Sequence, residues 1–301
     1  MFVEFLQKES EKERLTYKID EPLFSHSSFG IGGCADIAVF PKSKDALVDT
    51  LRAAKKYGVE YRIFGNGTNV LFPDNGIRGA VIFTTGVNGF SYEGNILTAE
   101  CGAGIVRLSL SSAKKGLSGL EFASGIPGSL GGAVFMNAGA YGGEISDLLI
   151  ESEYLDLDSL EVKILKDHAF GYRYSAYKDM NALILSAKLK LSRDDPKAIN
   201  ERIEEYRQKR MASQPYDKKS AGSTFKRKPP YITAKLIDEA GLKGLSVGRV
   251  SVSEKHAGFI VNNGGASAAD VISLIDTVKA RVFEKFGVEI ECEIIIEGET
   301  R

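Results

Sequence analysis

Apolar positions along the chain recur at two spacings, and the alternation between them predicts a mixed helix and strand protein. Ser43 stands ahead of Leu47, Val48, Leu51 and Ala54, which share one face at helical spacing, and Gly58 follows. That pattern predicts a helix capped by the serine hydroxyl and stopped by the glycine. A short strand at 59–64 comes next, then the loop Gly65-Asn66-Gly67-Thr68-Asn69, so a small α/β unit closes at about residue 65. From 66 to 192 strand-like runs dominate, at 80–83, 97–101, 149–157, 161–165 and 183–191. A helix over about 106–115 and a glycine-dense stretch at 125–143 interrupt them.

Asp195-Pro196 reads as a helix start, with Asp as cap and Pro in the first turn. The helix carries Ile199, Ile203 and Tyr206 on one stripe to about residue 212, and a domain boundary is expected near it. Helices at about 232–240 and 269–286 and a strand at 288–296 complete the chain, which shows no internal repeat. The expected class is α+β, with segments 1–65, 66–194 and 195–301.

Composition narrows the function classes. The 39 basic and 40 acidic side chains nearly cancel, for a formal net charge of −1, so no global attraction to nucleic acid or anionic membrane is expected. Cys34, Cys101 and Cys292 are odd in number, far apart and without C-x-x-C spacing. Buried thiols in a reducing compartment fit them better than a disulfide framework or a zinc site. The first sixteen residues are studded with Glu and Lys, unlike a signal peptide. No apolar run approaches the ~20 residues of a membrane helix. A cytoplasmic protein is expected, without membrane insertion or an obligate protein partner. His26 and His168 look isolated, and no metal constellation is visible.

Glycine changes the picture. The chain has 32 in 301 residues, against ~7% in average proteins. There is no G-x-x-x-x-G-K-[ST] loop, and Gly65-Asn66-Gly67-Thr68-Asn69 lacks the third glycine and following helix of the dinucleotide fingerprint. A tight turn after a strand explains it equally well. The stretch from Ser124 to Gly143 is more specific, with seven glycines in twenty residues. Its Gly125–Gly143 part carries no charged side chain. Such a segment presents backbone N–H groups in concave arrays that hold an anion, and lets phosphates or flat rings approach the main chain. Close packing of small residues is the alternative. With Gly102 and Gly104, these loops point to an extended ligand containing a pyrophosphate, for which FAD is suitable. The candidate cofactor residues are Gly65, Asn66, Gly67, Thr68, Asn69, Gly102, Gly104, Ser124, Gly125, Ile126, Pro127, Gly128, Ser129, Gly132, Ala133, Asn137, Gly139, Ala140 and Tyr141.

Seven motifs occur in one order: Ser28-Phe29-Gly30-Ile31-Gly32-Gly33, Gly65-Asn66-Gly67-Thr68-Asn69, Ser124-Gly125-Ile126-Pro127-Gly128, Asn137-Ala138-Gly139-Ala140-Tyr141, Gly171-Tyr172-Arg173-Tyr174-Ser175, Ala221-Gly222-Ser223-Thr224-Phe225-Lys226 and His256-Ala257-Gly258-Phe259-Ile260-Val261-Asn262. From about residue 20 to the end, this pattern resembles the UDP-N-acetylenolpyruvylglucosamine reductase family, in its compact branch. The resemblance implies an FAD-binding module of the p-cresol methylhydroxylase type in two subdomains, 1–65 and 66–194. It also implies a substrate-binding α+β domain at 195–301. Non-covalent FAD, NADPH as hydride donor and reduction of an enolpyruvyl-UDP-sugar for peptidoglycan follow from the same resemblance, with small molecules as the only partners.

The resemblance also implies three catalytic residues. Ser223 matches the serine that protonates the substrate, Arg173 the arginine that steadies its carboxylate and developing enolate, and Glu293 the carboxylate beside that arginine. A guanidinium suits the enolate because its planar fork of donors matches the spread charge. Lys226 or Lys219 would charge the neighbourhood of Ser223. Lys226, Arg227 and His256 are candidate substrate contacts. Physics alone singles out none of the three. A small-residue turn uses serine structurally as often, and a lone arginine is by default solvated. Glu289, Glu291 and Glu293 alternate onto one face, as a solvated strand face would. Two positions depart from the family: Cys292, where proline is frequent between the glutamates, and Arg227, where many relatives have asparagine. A different flavoenzyme on the same module, or a nucleotide-binding protein without turnover, are the rival readings. The Ser223, His256 and Glu293 motifs count against the first, and retention of Ser223 and Arg173 against the second.

Overall fold

A computed structural model of the protein describes residues 1–298. The chain divides into two units, and neither is continuous in sequence. Met1–Ile19, Ile37–Asn66 and Arg78–Lys209 make the first; Asp20–Asp36, Gly67–Ile77 and the described residues from Arg210 onward make the second.

The first unit opens with helix α1 (Phe2–Glu11) and strands β1 (Leu15–Pro22) and β2 (Cys34–Pro41). Helix α2 (Lys44–Lys56) then leads to β3 (Tyr61–Phe64) and β4 (Ile77–Phe83). The sheet order is β1-β2-β4-β3, with β3 and β4 parallel from Tyr61 opposite Ala80 to Phe64 opposite Phe83. The capped helix expected at Ser43 is present, and the serine Oγ accepts from the Ala46 N–H at 3.2 Å. Its stripe of Leu47, Leu51 and Ala54 is fully buried with Leu6, Val39 and Ile82.

A second sheet in the same unit comprises β5 (Phe90–Glu93), β6 (Ile96–Glu100), β7 (Leu149–Asp156), β8 (Val162–Leu165) and β9 (Ala182–Lys190). It is antiparallel throughout, in the order β8-β7-β9-β6-β5. Helices α3 (Ile105–Lys114) and α4 (Leu130–Phe135) pack on it through Leu108, Leu130 and Val134 against Leu97, Ala99 and Leu189. A further helix, α5 (Pro196–Ser213), starts at the predicted Asp195-Pro196.

The second unit holds helices α6 (Thr233–Glu239) and α7 (Ala268–Phe286) over a three-stranded antiparallel sheet. Its strands are β10 (Ser246–Val247), β11 (Val250–Val252) and β12 (Ile260–Asn262). Leu236, Ile237, Val250, Val252, Leu274, Val278 and Val282 form its core with Phe29 and Ile31. Burying each large apolar side chain is worth about 1.5–3 kcal/mol. The long terminal strand expected at 288–296 shrinks to β13 (Ile295–Ile296), parallel to the short strand Val70–Leu71. Before it, residues 291–293 pair with 224–226 instead, Glu293 N–H donating to Thr224 O at 2.8 Å and Lys226 N–H to Glu291 O at 2.9 Å. The segment changes partner midway, so no single ladder spans it.

Asp74 explains part of the discontinuous assembly. Its carboxylate accepts from the Ala268 and Ala269 N–H groups at 2.7 and 3.1 Å, at the start of α7. Those donors have no partner within the helix, and the helix dipole favours a negative charge there. Asp74→Ala is therefore expected to cost about 1–2 kcal/mol, as the loss of a helix cap does. Thermal unfolding checks this, with Asp74→Asn, which keeps an acceptor, falling between. A variant melting with the parent would show that water replaces the carboxylate without cost.

Candidate active site and cofactor loops

Three glycine loops converge within the first unit. The Asn66 side-chain amide donates to Pro127 O at 3.0 Å, Gly104 forms a bridge with Ser129, and Ile105 N–H donates to Gly128 O at 3.0 Å. Gly65 lies so close to Ser129 that an added Cβ would stand 2.2 Å from its Oγ. No other residue allows that approach. The glycine-dense stretch also contains α4, a helix not expected among so many glycines. Here Leu130 N–H and Gly131 N–H donate to Ala103 O and Cys101 O at 2.8 Å, and a Cβ on Gly131 would crowd Cys101 at 3.1 Å. Glycine lets this turn of helix lie on the backbone of 101–103.

Beside these loops is an open cavity of about 650 Å³ lined by Asn66, Gly104, Pro127 and Gly128, with Phe90, Val106, Leu110 and the cationic side chains of Arg107 and Lys114. Uncharged glycine backbone, an apolar wall and two cations suit a ligand with phosphates and flat rings. The site therefore fits FAD, which Asn66, Gly104, Pro127 and Gly128 would hold.

The remaining loop candidates divide. Gly67, Thr68 and Asn69 belong to the second unit, where Asn69 Nδ2 donates to Glu293 O at 3.3 Å. Asn137 is fully buried. Its amide bonds Gly171 O and Glu144 Oε1 at 3.0 and 3.1 Å, and its Oδ1 accepts from Ser146 N–H. Tyr141 stacks on Tyr206 with ring centroids 4.7 Å apart.

Arg173 stands at the tip of a tight turn, with Gly171 and Tyr174 exchanging backbone hydrogen bonds at 3.1 Å. Its φ is 54°, the left-handed region that non-glycine residues avoid. The guanidinium Nη2 donates to Gly139 O at 3.0 Å, and the group lies 5.1 Å from the Tyr172 ring centroid. Asn137 holds Gly171, and Ser175 Oγ donates to Phe135 O at 2.8 Å, so both sides of the turn are fastened. A strained conformation held by its surroundings is a mark of functional turns.

Ser223 and Glu293 come together in the second unit. Residues 223–226 run between two partners: Thr224 N–H donates to Gly258 O at 2.8 Å on one side and Thr224 O accepts from Glu293 N–H on the other. Ser223 Oγ donates to Phe225 O at 3.2 Å, a long and weak bond. Ser28 Oγ donates to Ser220 O at 2.7 Å, and Asn262 Nδ2 donates to Phe29 O at 3.0 Å. The Ser28-Phe29-Gly30 motif thus braces the approach to Ser223, a role its sequence did not disclose.

The glutamate row also separates. Glu289 and Glu291 are exposed, while Glu293 is half-buried. Glu291 pairs with Lys226 at 3.1 Å and Lys228 at 3.8 Å, and the Lys226 hydrogen bond holds its carboxyl below the usual range. Arg227 is exposed. The aliphatic stem of Lys219 lies over Gly30, where an added Cβ would meet its Cδ at 2.7 Å. His256 Nδ1 accepts from Gly258 N–H at 3.1 Å, so the neutral ring carries its proton on Nε2. Burial pushes its pKa down, which favours that neutral form.

Three expectations need correction. His168 is not isolated but buried in a hydrogen-bonded group with Ser152 and Tyr177. His26 bonds Glu21 at 2.8 Å. Of the cysteines only Cys101 is buried, its thiol pushed up to about 12 by desolvation; Cys34 is exposed and Cys292 half-buried. Among the described residues no helix is long and apolar enough to cross a membrane.

Comparison with known proteins bears on this arrangement. Residues 35–164 match the FAD binding domain model, and 214–297 match the model of the UDP-N-acetylenolpyruvoylglucosamine reductase C-terminal domain. A UDP-N-acetylenolpyruvoylglucosamine reductase of Caldanaerobacter subterraneus is 44% identical, over 97% of either chain. One from Caldicellulosiruptor saccharolyticus is 45% identical over 96% of this chain and 94% of its own. The crystal structure of UDP-N-acetylenolpyruvylglucosamine reductase from Thermus caldophilus superposes with a TM-score of 0.78 at 32% identity, covering 94% of this chain and 98% of that one. The α+β fold with an FAD-binding module and a distinct carboxyl-terminal domain is shared across these lengths. With both halves matched and near-full-length relatives above 40% identity, the chain belongs to the UDP-N-acetylenolpyruvoylglucosamine reductase family.

Proposed function

We propose that the protein is an NADPH-dependent flavoenzyme that reduces the enolpyruvyl carbon–carbon double bond of a UDP-N-acetylglucosamine ether to the lactyl ether of UDP-N-acetylmuramate, a peptidoglycan precursor, in the cytoplasm. The observation that carries the reading is the pair of prepared groups: Arg173 in a fastened left-handed turn, and Ser223 on a segment braced on both sides, with Glu293 next to it. FAD, when bound, relays two electrons from NADPH to the substrate.

Arg173 would bind the substrate carboxylate and take up charge as the adjoining carbon becomes enolate-like. Its planar donors match a carboxylate, and in a water-poor site such a contact contributes several kcal/mol. Ser223 would give its hydroxyl proton to that carbon. The hydroxyl is bonded only weakly to Phe225 O, so turning it toward a substrate costs little. Glu293, next to Ser223, would serve the same step. Residues 1–65 and 66–194 would carry FAD, and 195–301 the sugar nucleotide, through Lys226, Arg227 and His256.

Purified protein is expected to be yellow, with FAD bound non-covalently. Acid precipitation should release the flavin into the supernatant, because the loops offer backbone rather than a covalent tether. NADPH should then bleach the absorbance of the native protein, and enolpyruvyl-UDP-N-acetylglucosamine should restore it. Flavin retained in the acid pellet would point to a tethered oxidase, and protein that binds no FAD would refute the reading.

A further inference from the structure

We propose that His168 is a positioning residue for Arg173, acting through Ser152 and Tyr177; this rests on the reading of Arg173 given above. The turn that carries Arg173 hangs from a loop whose two ends meet one oxygen atom. Ser152 Oγ, on the core strand β7, lies 2.7 Å from His168 Nε2 and 2.6 Å from the Tyr177 hydroxyl. His168 is the residue before the loop rises and Tyr177 the one after it returns. The backbone closes the same base, with Ala176 N–H donating to His168 O at 2.7 Å.

The protons in this group have one consistent order. Lys166 O can only accept, so His168 Nδ1 donates to it, at 3.1 Å. Nε2 of the neutral ring then accepts from the Ser152 hydroxyl, which accepts in turn from Tyr177. Every member is satisfied, and all three side chains are buried. The His168 ring also stacks on Phe170, centroids 5.1 Å apart, within the rising limb. A satisfied buried network of this kind fixes geometry closely. At its far end stands Arg173 with φ of 54°, a conformation that persists only where surroundings impose it. Asn137 and Gly139 fasten the tip; His168, Ser152 and Tyr177 fasten the base.

The test separates positioning from folding. His168→Phe keeps a flat ring but removes the acceptor for Ser152, whereas His168→Gln supplies an acceptor again. Flavin content, thermal unfolding, bleaching by NADPH and reoxidation by enolpyruvyl-UDP-N-acetylglucosamine are measured for each. His168→Phe should bind FAD and be bleached like the parent, yet be reoxidised about 10- to 100-fold more slowly, as for a charged group displaced by a fraction of an ångström. His168→Gln should recover most of that loss. Tyr177→Phe, which removes one arm without changing the ring, serves if His168→Phe does not fold, and should slow reoxidation selectively. Parental reoxidation in the folded variant overturns the proposal, and so does equal slowing of both half-reactions. A parent protein that the enolpyruvyl substrate cannot reoxidise overturns the reductase reading itself.

Discussion

Ser223→Ala is expected to accept electrons from NADPH at the parental rate and to pass them to the enolpyruvyl substrate about 10²-fold or more slowly. No substrate proton moves in the first half-reaction, whereas the second needs a proton at carbon, and a positioned acid contributes about 10²–10⁴-fold. Stopped-flow absorbance of the flavin reads the halves separately. The substitution removes one weak hydrogen bond to Phe225 O and leaves the flanking backbone pairs untouched, so the melting temperature should hold. Equal slowing of both halves would mean that Ser223 shapes the flavin environment instead.

Arg173 should show a loss of the same order. Arg173→Ala removes the donors proposed to receive the enolate charge, and loss of such a group typically lowers turnover about 10²- to 10³-fold. Arg173→Lys keeps the charge without the fork and should recover only part. Arg173→Gly carries a separate signature. At φ of 54° glycine is unstrained, so this variant should melt no lower than the parent, or about 1 kcal/mol more stably, while being as inactive as alanine. A glycine variant that loses stability would show that the guanidinium bond to Gly139 O outweighs the backbone strain. Glu293→Gln should also slow only the second half-reaction. Combined with Arg173→Ala it should add little, since residues acting as one unit give non-additive losses. Full additivity in the log rate would separate their roles, and parental turnover in Glu293→Gln would direct attention to Glu291.

Periodicity disclosed the elements whose burial is one-sided. The α2 stripe, four of the five strands of the second sheet and the start of α5 lie where alternation and capping residues place them, while β5 was not expected. It failed where backbone changes partner, as at 291–296, because a run of alternating apolar residues says nothing about which neighbour each N–H finds. It failed again at α4, where close contact with residues 101–103, not helix propensity, makes glycine the suitable residue. The motifs nominated Arg173, Ser223 and Glu293, but not what holds them. Asn137 reads as one of several loop amides until its bonds to Gly171, Glu144 and Ser146 are seen. His168 reads as isolated because Ser152 and Tyr177 reach it only through the tertiary fold. A serine at an inward position of β7, beside buried Tyr154, was the one available signal of a polar group in that core.

The discontinuous make-up of the two units bears on how the protein is born. On a ribosome the segments 20–36 and 67–77 emerge early, yet their packing partners lie beyond Arg210 and are translated much later. Phe29, Ile31 and Leu71, all buried in the finished second unit, must wait for that synthesis with their apolar surfaces in water. Meanwhile the first unit has nearly all its own chain and can condense around it. Late closure over early segments raises contact order, which slows folding and lengthens exposure to aggregation. The nascent polypeptide thus keeps these apolar side chains exposed until the residues beyond Arg210 have been made.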